Sequence, residues 1–475
     1  MTEQLNLKEY IKFYIKPWRS KQRNMAIIAP FKGLTYNYYV RNDFSKMVAP
    51  PYDVISSEEQ ESFYQLDPYN VIRLILAKKK TGDSDWDNRY TRSADFFRRW
   101  ESAGILIRSN EPCLYITSLS YDPGDGLPKR TRWGIIALAR IEDPDSGVIL
   151  PHEKTFSAHK DDRLKLMRAC EAQVSQIFGL YEDSQDIVMS ECKKALDFQP
   201  QIDFDTQDGT SHRMWILRRP DIFKLVTEAM AEKSIFIADG HHRYETARNY
   251  RNIMRSRHGR LDPQRSYEFV MTYLSNMNDK GLTILPSHRL IKRAQNFDLT
   301  AFLKKAEGWF NIEKLELPDS ELPVKSRFLK VRLEQAGKSD TVIAFVHADY
   351  KDCYLMTLKK GGSDDMGEDL HPSQKKLDVL VLSRLILQKS LGFQKDDLDN
   401  EEIFHYLSST EKTLDQVFSG DYEMSFLLNP TKIDHVKEIA DNSLVMPRKS
   451  TFFYPKILSG LVFNKIDPNE TIQIP

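Results

Sequence analysis

The segment SIFIADGHHRYETARNYRNIMRSRH, residues 234–258, decides the fold. Ser234 to Ala238 is a short apolar run of strand composition, Asp239-Gly240 is a turn, and a long helix follows at once. A strand that turns on a glycine straight into a helix belongs to an α/β architecture. The junction also has a chemistry. Gly240 permits a tight turn, and the free amides and dipole of the helix start favour an anion, phosphate or pyrophosphate above all. His241, His242 and Arg243 add donors to the same place. One D-G turn before a helix is ordinarily structural, but two histidines and an arginine at one helix start make poor core material, so the cluster is read as functional. Asp239 is the odd member, because an acid beside an anion repels it. It is expected to act through a phosphate-bound Mg²⁺ or by orienting a histidine, with Arg243 gripping the donor directly. Neighbouring His241 and His242 diverge by about 100° on a helix, so they do not form a zinc-protease face. No Walker loop and no dinucleotide fingerprint is present.

Upstream, VILP leads into HEKT at 152–155, where Glu153 is a candidate general base for a hydroxyl. His152, Thr155, Lys160 and Arg163 are possible phosphate or substrate contacts, set against the plainer reading of a surface loop and a solvated helix over DDRLKLMRAC. Further back, Pro50 and Pro51 pin APPYDVI as extended chain. Ser56 and Ser57 before EEQ predict a capped helix over 57–65, and NVIRLILA at 70–77 predicts a buried strand. Ala94, Phe97 and Trp100 give helical spacing within 87–103, ending at Gly104, before the strands CLYITSLSY and RWGIIALARI. Downstream, YEFVMTYLSNMNDKGLTILPSHRLI predicts strands around a turn and offers His288 and Arg289 as further contacts. Residues 296–365 predict a helix, LTAFLKKAEGWF, and the strands KVRLEQ, TVIAFVH and CYLMTLK, with GGSDDMGED as a linker. Helices are expected at 377–390 and near 411–418, then a strand at MSFLLN and the turn-rich MPRKSTFFYPKILSG. Arg448, Lys449 and Lys456 of that last segment are predicted to fold back over an anionic donor. The competing reading has Phe452, Phe453 and Tyr454 merely packing a core.

The chain is 475 residues long, with 68 Lys plus Arg against 68 Asp plus Glu, a balance that argues against nucleic acid as a partner. With 41% hydrophobic residues and no apolar run of about 20, it is expected to be soluble, cytoplasmic and without a membrane partner. Four scattered cysteines give neither a zinc ribbon nor a disulfide framework. The expected division is an N-terminal extension at 1–24, an α/β domain at 25–145, a catalytic core at 146–295, an inserted or flanking α/β unit at 296–365 and a C-terminal domain at 366–475 packing on the core.

The series APPYDVI, LPHEKTF, DDRLKLM, IFGLYED, IADGHHRYETA, LPSHRLI and MPRKSTFFYPKILSG resembles a widespread family catalogued as a domain of unknown function. Within it, the pair LPHE and DGHHR is similar to the signature boxes of the ParB/sulfiredoxin superfamily, whose free-serine kinase branch uses a glutamate after Pro-His as base. The resemblance implies an α/β (α+β) fold with a ParB/sulfiredoxin-like core and flanking α/β domains. It further implies transfer of phosphate from pyrophosphate to free L-serine, which would yield phosphoserine, a possible feed for cysteine synthesis. Glu153 and Asp239 would be catalytic, Gly240, His241, His242 and Arg243 would bind the donor, and Mg²⁺ would be the cofactor. Sulfiredoxin chemistry needs a cysteine where this chain has His241, and ParB proteins carry basic DNA-binding helices that are not evident here. ATP or ADP as donor, a phosphohydrolase, and a non-catalytic phospholigand- or nucleic-acid-binding protein are the alternatives.

Overall fold

The computed structural model describes residues 25–475 apart from 41–42, 125–127, 154–156, 259–261, 295–296 and 350–352. The expected N-terminal helix and Thr155 therefore lie outside the described residues. The fold is mixed α/β, built on two large sheets.

The first sheet has nine strands among the described residues. Its order runs Ile149–Leu150, Ile235–Asp239, Ile177–Tyr181, Phe269–Asn276, Arg130–Arg140, Leu114–Tyr121, Ser211–Leu217 and Ile202–Asp205, with Ile28–Ala29 also on Arg130–Arg140. It takes strands from both sides of the 145/146 division. Alternation along Ile235–Asp239 explains why its apolar run is continuous. Phe236 and Ala238 enter one core with Phe178, Leu180 and Phe453, whereas Ile235 and Ile237 enter another with Tyr244 and Ala247. A strand covered on both faces has no polar face to show. Each large aliphatic or aromatic residue so buried contributes about 1.5–3 kcal/mol. The helix His241–His258 buries Tyr244 and Ala247 in the core of this strand's second face, and Tyr250 and Met254 further along at helical spacing against Tyr267 and Ile466.

Two pairings place the site. Ile235 and Phe236 pair in parallel with Ile149 and Leu150, so both chains leave the sheet at the same edge. Ligands of α/β sheets sit outside such carboxyl ends. A register shift between Ile237 and Asp239, opposite Gly179 and Phe178, then re-aims Asp239 at the end of its strand.

The second sheet is antiparallel, in the order Phe310–Leu315, Cys353–Leu358, Val342–His347, Met424–Leu428, His288–Ile291 and Phe404–Leu407. It draws on residues before 296 and after 365. The chain then returns to the first body, where Phe452–Tyr454 pairs with Thr283–Leu285 and Asn464–Lys465 pairs with Ala172–Gln173.

Several local expectations hold. Ser56 caps Ser57–Leu66 in a capping box with Glu59, and Arg89–Ser102 buries Ala94, Phe97 and Trp100. Others are corrected. Within 70–77 the chain forms a short helix, Ile72–Ile75, because a brief apolar run carries no period to distinguish helix from strand. KVRLEQ is the end of the helix Leu322–Ala336, which buries Ser326, Leu329 and Leu333. The 361–369 linker contains a 3₁₀ turn, Gly362–Met366, anchored by buried Met366. The 377–390 helix is α-helical only over Asp378–Val381 and continues as π-helix to Ser390. All four cysteines are buried free thiols. Among the described residues no helix is long and apolar enough to cross a membrane.

Candidate active site

The two strand ends deliver His152-Glu153 and Asp239-Gly240-His241 side by side. Gly240 adopts φ +89°, which an L side chain rarely accepts, and a Cβ there would lie 2.9 Å from the Arg243 guanidinium carbon. The backbone NH of His152 donates to Nε2 of His241 at 3.3 Å, and the two rings meet edge to face, 4.7 Å apart. Since Nε2 accepts, the neutral His241 ring carries its proton on Nδ1. Nδ1 faces Glu153 Oε2 at 3.9 Å. Both histidines are kept neutral by burial, which pushes His152 down to about 4 and His241 well below its ordinary value. They are hydrogen-bonding groups rather than cations.

Asp239 has both oxygens occupied. Lys456 donates to Oδ1, and Arg243 donates to Oδ2 at 2.5 Å. The Lys456 and Arg243 charges outweigh burial and hold its carboxyl well below the usual range. Arg243 also donates to the backbone carbonyl of Gln176. Arg243, expected to grip the donor directly, and Asp239, expected to act through a metal or by orienting a histidine, are each other's partners here. No group of three metal-ligating side chains comes together among the described residues, and Asp239 spends its oxygens on cations. Among the described residues the side chains do not form a cage for Mg²⁺.

Glu153 behaves oppositely. Burial and the charge of Asp239 push its carboxyl above the ordinary 4.5, against the pull of Lys449, Arg448 and Lys456. Its side chain keeps 27% exposure, so it remains reachable. The C-terminal segment supplies those cations by crossing the site. Met446 NH donates to the His152 carbonyl at 2.7 Å, Glu153 bridges Met446, and Thr451 Oγ1 lies 3.4 Å from His152 Nε2. Lys449 sits at φ +55°, a strained backbone for a lysine. Both readings of this segment meet here, since Phe453 is fully buried in the core while Lys456 reaches Asp239.

The remaining candidates have partners of their own. Lys160 pairs with Glu245 at 3.0 Å. Arg163 stacks 3.9 Å over the Tyr52 ring, pairs with Asp162 and donates to the Ile75 carbonyl. His288 and Arg289 belong to the second sheet. Nδ1 of His288 accepts from Leu428 NH, its Nε2 meets Thr410 Oγ1, and the Arg289 guanidinium lies over Tyr406. His242 starts the second position of the helix, half-buried.

Two residues near the site escaped the sequence reading. Tyr52, from APPYDVI, feels the charges of both Arg163 and Arg243, although burial still pushes its hydroxyl up to about 12. Gln176 holds Arg243 through its carbonyl and the Leu458 carbonyl through its Nε2 at 2.9 Å. APPYDVI was a visible signal for the first, and nothing in the sequence marked the second.

A family profile described as "Protein of unknown function (DUF1015)" matches residues 28–380. No curated protein matches the sequence. Among solved structures, a conserved hypothetical protein from Pyrococcus furiosus is 11% identical, with 68% of this chain and 92% of that one covered at a TM-score of 0.32. A free serine kinase in complex with AMP is 10% identical, covering 70% of this chain and 91% of its own at 0.33. SbnI with a C-terminal truncation, from Staphylococcus aureus, is 10% identical and covers 68% and 85% at 0.29. Likeness at this level bears no weight on function.

Proposed function

The chain belongs to the DUF1015 family of proteins of unknown function, and from its site we propose a phosphotransferase that moves a phosphoryl group from pyrophosphate to the hydroxyl of free L-serine. One observation carries the reading. Parallel pairing of Ile235–Phe236 with Ile149–Leu150 brings a carboxylate of raised pKa, Glu153, to the start of the His241–His258 helix, beneath a cationic segment. Phosphoryl transfer asks mostly for positioning and charge neutralisation, which is what such an assembly offers.

Glu153 takes the proton of the serine hydroxyl while its oxygen attacks a pyrophosphate phosphorus. The bridging P–O bond breaks, orthophosphate leaves, and O-phosphoserine forms. A carboxylate shifted upward is a better base at neutral pH than an ordinary one. His241, presenting Nδ1–H, orients Glu153, and the first amides of the helix with Arg448 and Lys449 offset the phosphate charge. Asp239 serves by fixing Arg243 and Lys456. Mg²⁺, if carried in on pyrophosphate, would add further charge neutralisation there. Incubating the protein with Mg²⁺ and pyrophosphate, with and without L-serine, and following phosphorus by NMR tests the proposal. Phosphoserine supports it, and its absence refutes it.

A further inference from the structure

Arg132 lies outside every element of that reaction, yet it is fully buried and no carboxylate pairs with it among the described residues. Its guanidinium donates to two consecutive carbonyls, Tyr454 at 3.1 Å and Pro455 at 2.7 Å. It rests 4.9 Å over the ring of Phe178 and 5.7 Å from that of Tyr273. The next residue in the chain is Lys456, which donates to Asp239, and Asp239 is the ladder partner of Phe178.

We propose that Arg132 is a positioning residue, which seats Lys456 on Asp239 by clamping the two carbonyls that precede it. A buried guanidinium without a counter-charge is a poor choice for mere filling, since an apolar side chain of similar length would pack there without desolvating a charge. What an apolar chain lacks is a rigid fork of donors, and a fork on two successive carbonyls fixes the peptide orientation just before Lys456. The rings of Phe178 and Tyr273 take the place of an anion. Because Phe178 also sets Asp239 in register, both members of the Lys456–Asp239 pair are referred to the same strand. The antiparallel pairing of Phe452–Tyr454 with Thr283–Leu285 brings the segment in, and Arg132 sets its last step. The inference rests on the phosphotransferase reading only for the purpose of the seating, not for the seating itself.

The test reads Lys456 directly. Pulse acetylation with acetic anhydride, followed by peptide mass spectrometry, compares Lys456, 17% exposed, with Lys224, 68% exposed. In the wild-type protein Lys456 reacts more slowly than Lys224. In Arg132→Met its rate relative to Lys224 rises by about tenfold, the factor for loss of one charge-assisted hydrogen bond, and Arg132→Lys recovers part of the protection. An unchanged Lys456 rate in a folded Arg132→Met overturns the proposal. If Arg132→Met does not fold, the weaker Arg132→Lys decides by the same readout: a raised Lys456 rate supports the role and an unchanged rate ends it. Turnover separates the two claims. A shift in Lys456 labelling with no phosphoserine from any variant, wild type included, refutes the reaction and leaves the positioning intact. Normal turnover and normal labelling in Arg132→Met refute the positioning alone.

Discussion

Replacing Gly240 with alanine probes the joint on which the candidate site turns. Two penalties act together. At φ +89° an L residue is strained, by about 1–2 kcal/mol. The new Cβ also meets Arg243, at 2.9 Å from Cζ and Nε and 3.0 Å from its terminal nitrogen, so the guanidinium must shift and strain its bonds to Asp239 and the Gln176 carbonyl. Hydrogen bonds to charged groups contribute about 1.5–3 kcal/mol. The structure supplies its own control, since Gly82 has φ +91° with nothing within 4 Å of its Cβ position. Gly82→Ala carries the backbone penalty alone and shares the change in unfolded-chain entropy. Gly240→Ala is therefore expected to lower stability by about 1 kcal/mol more than Gly82→Ala, part of one such bond, and to weaken pyrophosphate binding, which Gly82→Ala leaves intact. Urea unfolding of both variants at matched m-values, with calorimetric titration of pyrophosphate, measures these quantities. Equal destabilisation by the two substitutions would refute the contact between residue 240 and Arg243.

Other outcomes follow from the same geometry. Glu153→Gln should lower turnover by roughly two to four orders of magnitude with donor affinity retained, as loss of a general base does. Because the folded Glu153 carboxyl lies above its unfolded 4.5, its charged form opposes folding at neutral pH and the opposition fades as pH falls through the raised value. Glu153→Gln should thus stabilise the protein at pH 7 and give no gain below about 4.5, measured by melting across pH. Asp239 has the opposite sign: its stabilisation is present above 3.8 and lost as pH falls through its lowered value. Asp239→Asn should cost about 3–5 kcal/mol at pH 7, because it leaves Arg243 and Lys456 buried without an anion, and a loss under 1 kcal/mol would contradict that pairing. Lys449→Gly should relieve about 1 kcal/mol of backbone strain while weakening pyrophosphate affinity, and a calorimeter reads both.

How far the sequence spoke depended on period and on punctuation. The 234–258 segment announced its strand, turn and helix because a four-residue apolar run, Ile235 to Ala238, met an Asp-Gly and then helical spacing. PHE at 151–153 could be recognised as chemistry, but its closeness to DGHHR is a product of parallel pairing, which no local pattern encodes. KVRLEQ misled because Val331 and Leu333 alternate with charges. Val331 is 42% exposed, and the period that matters joins Leu329 to Leu333. His288 and Arg289, offered as contacts from the LPSHRLI motif, are a different case. Their burial in the second sheet, with hydrogen bonds to Thr410, Leu428 and Ser287, is a tertiary fact. The same holds for Arg132 and Gln176, whose roles arise from partners about 320 and 280 residues away.

Phosphorus NMR of the complete reaction tests the central claim most directly. Wild-type protein with Mg²⁺, pyrophosphate and L-serine should give a phosphoserine resonance and one equivalent of orthophosphate. The signal should vanish without serine and fall at least about a hundredfold in rate in Glu153→Gln. Parallel samples with ATP or ADP in place of pyrophosphate identify the donor. Orthophosphate in serine-free samples with no phosphoserine in any would mark a hydrolase, and an unchanged phosphorus spectrum in every sample would contradict phosphoryl transfer altogether.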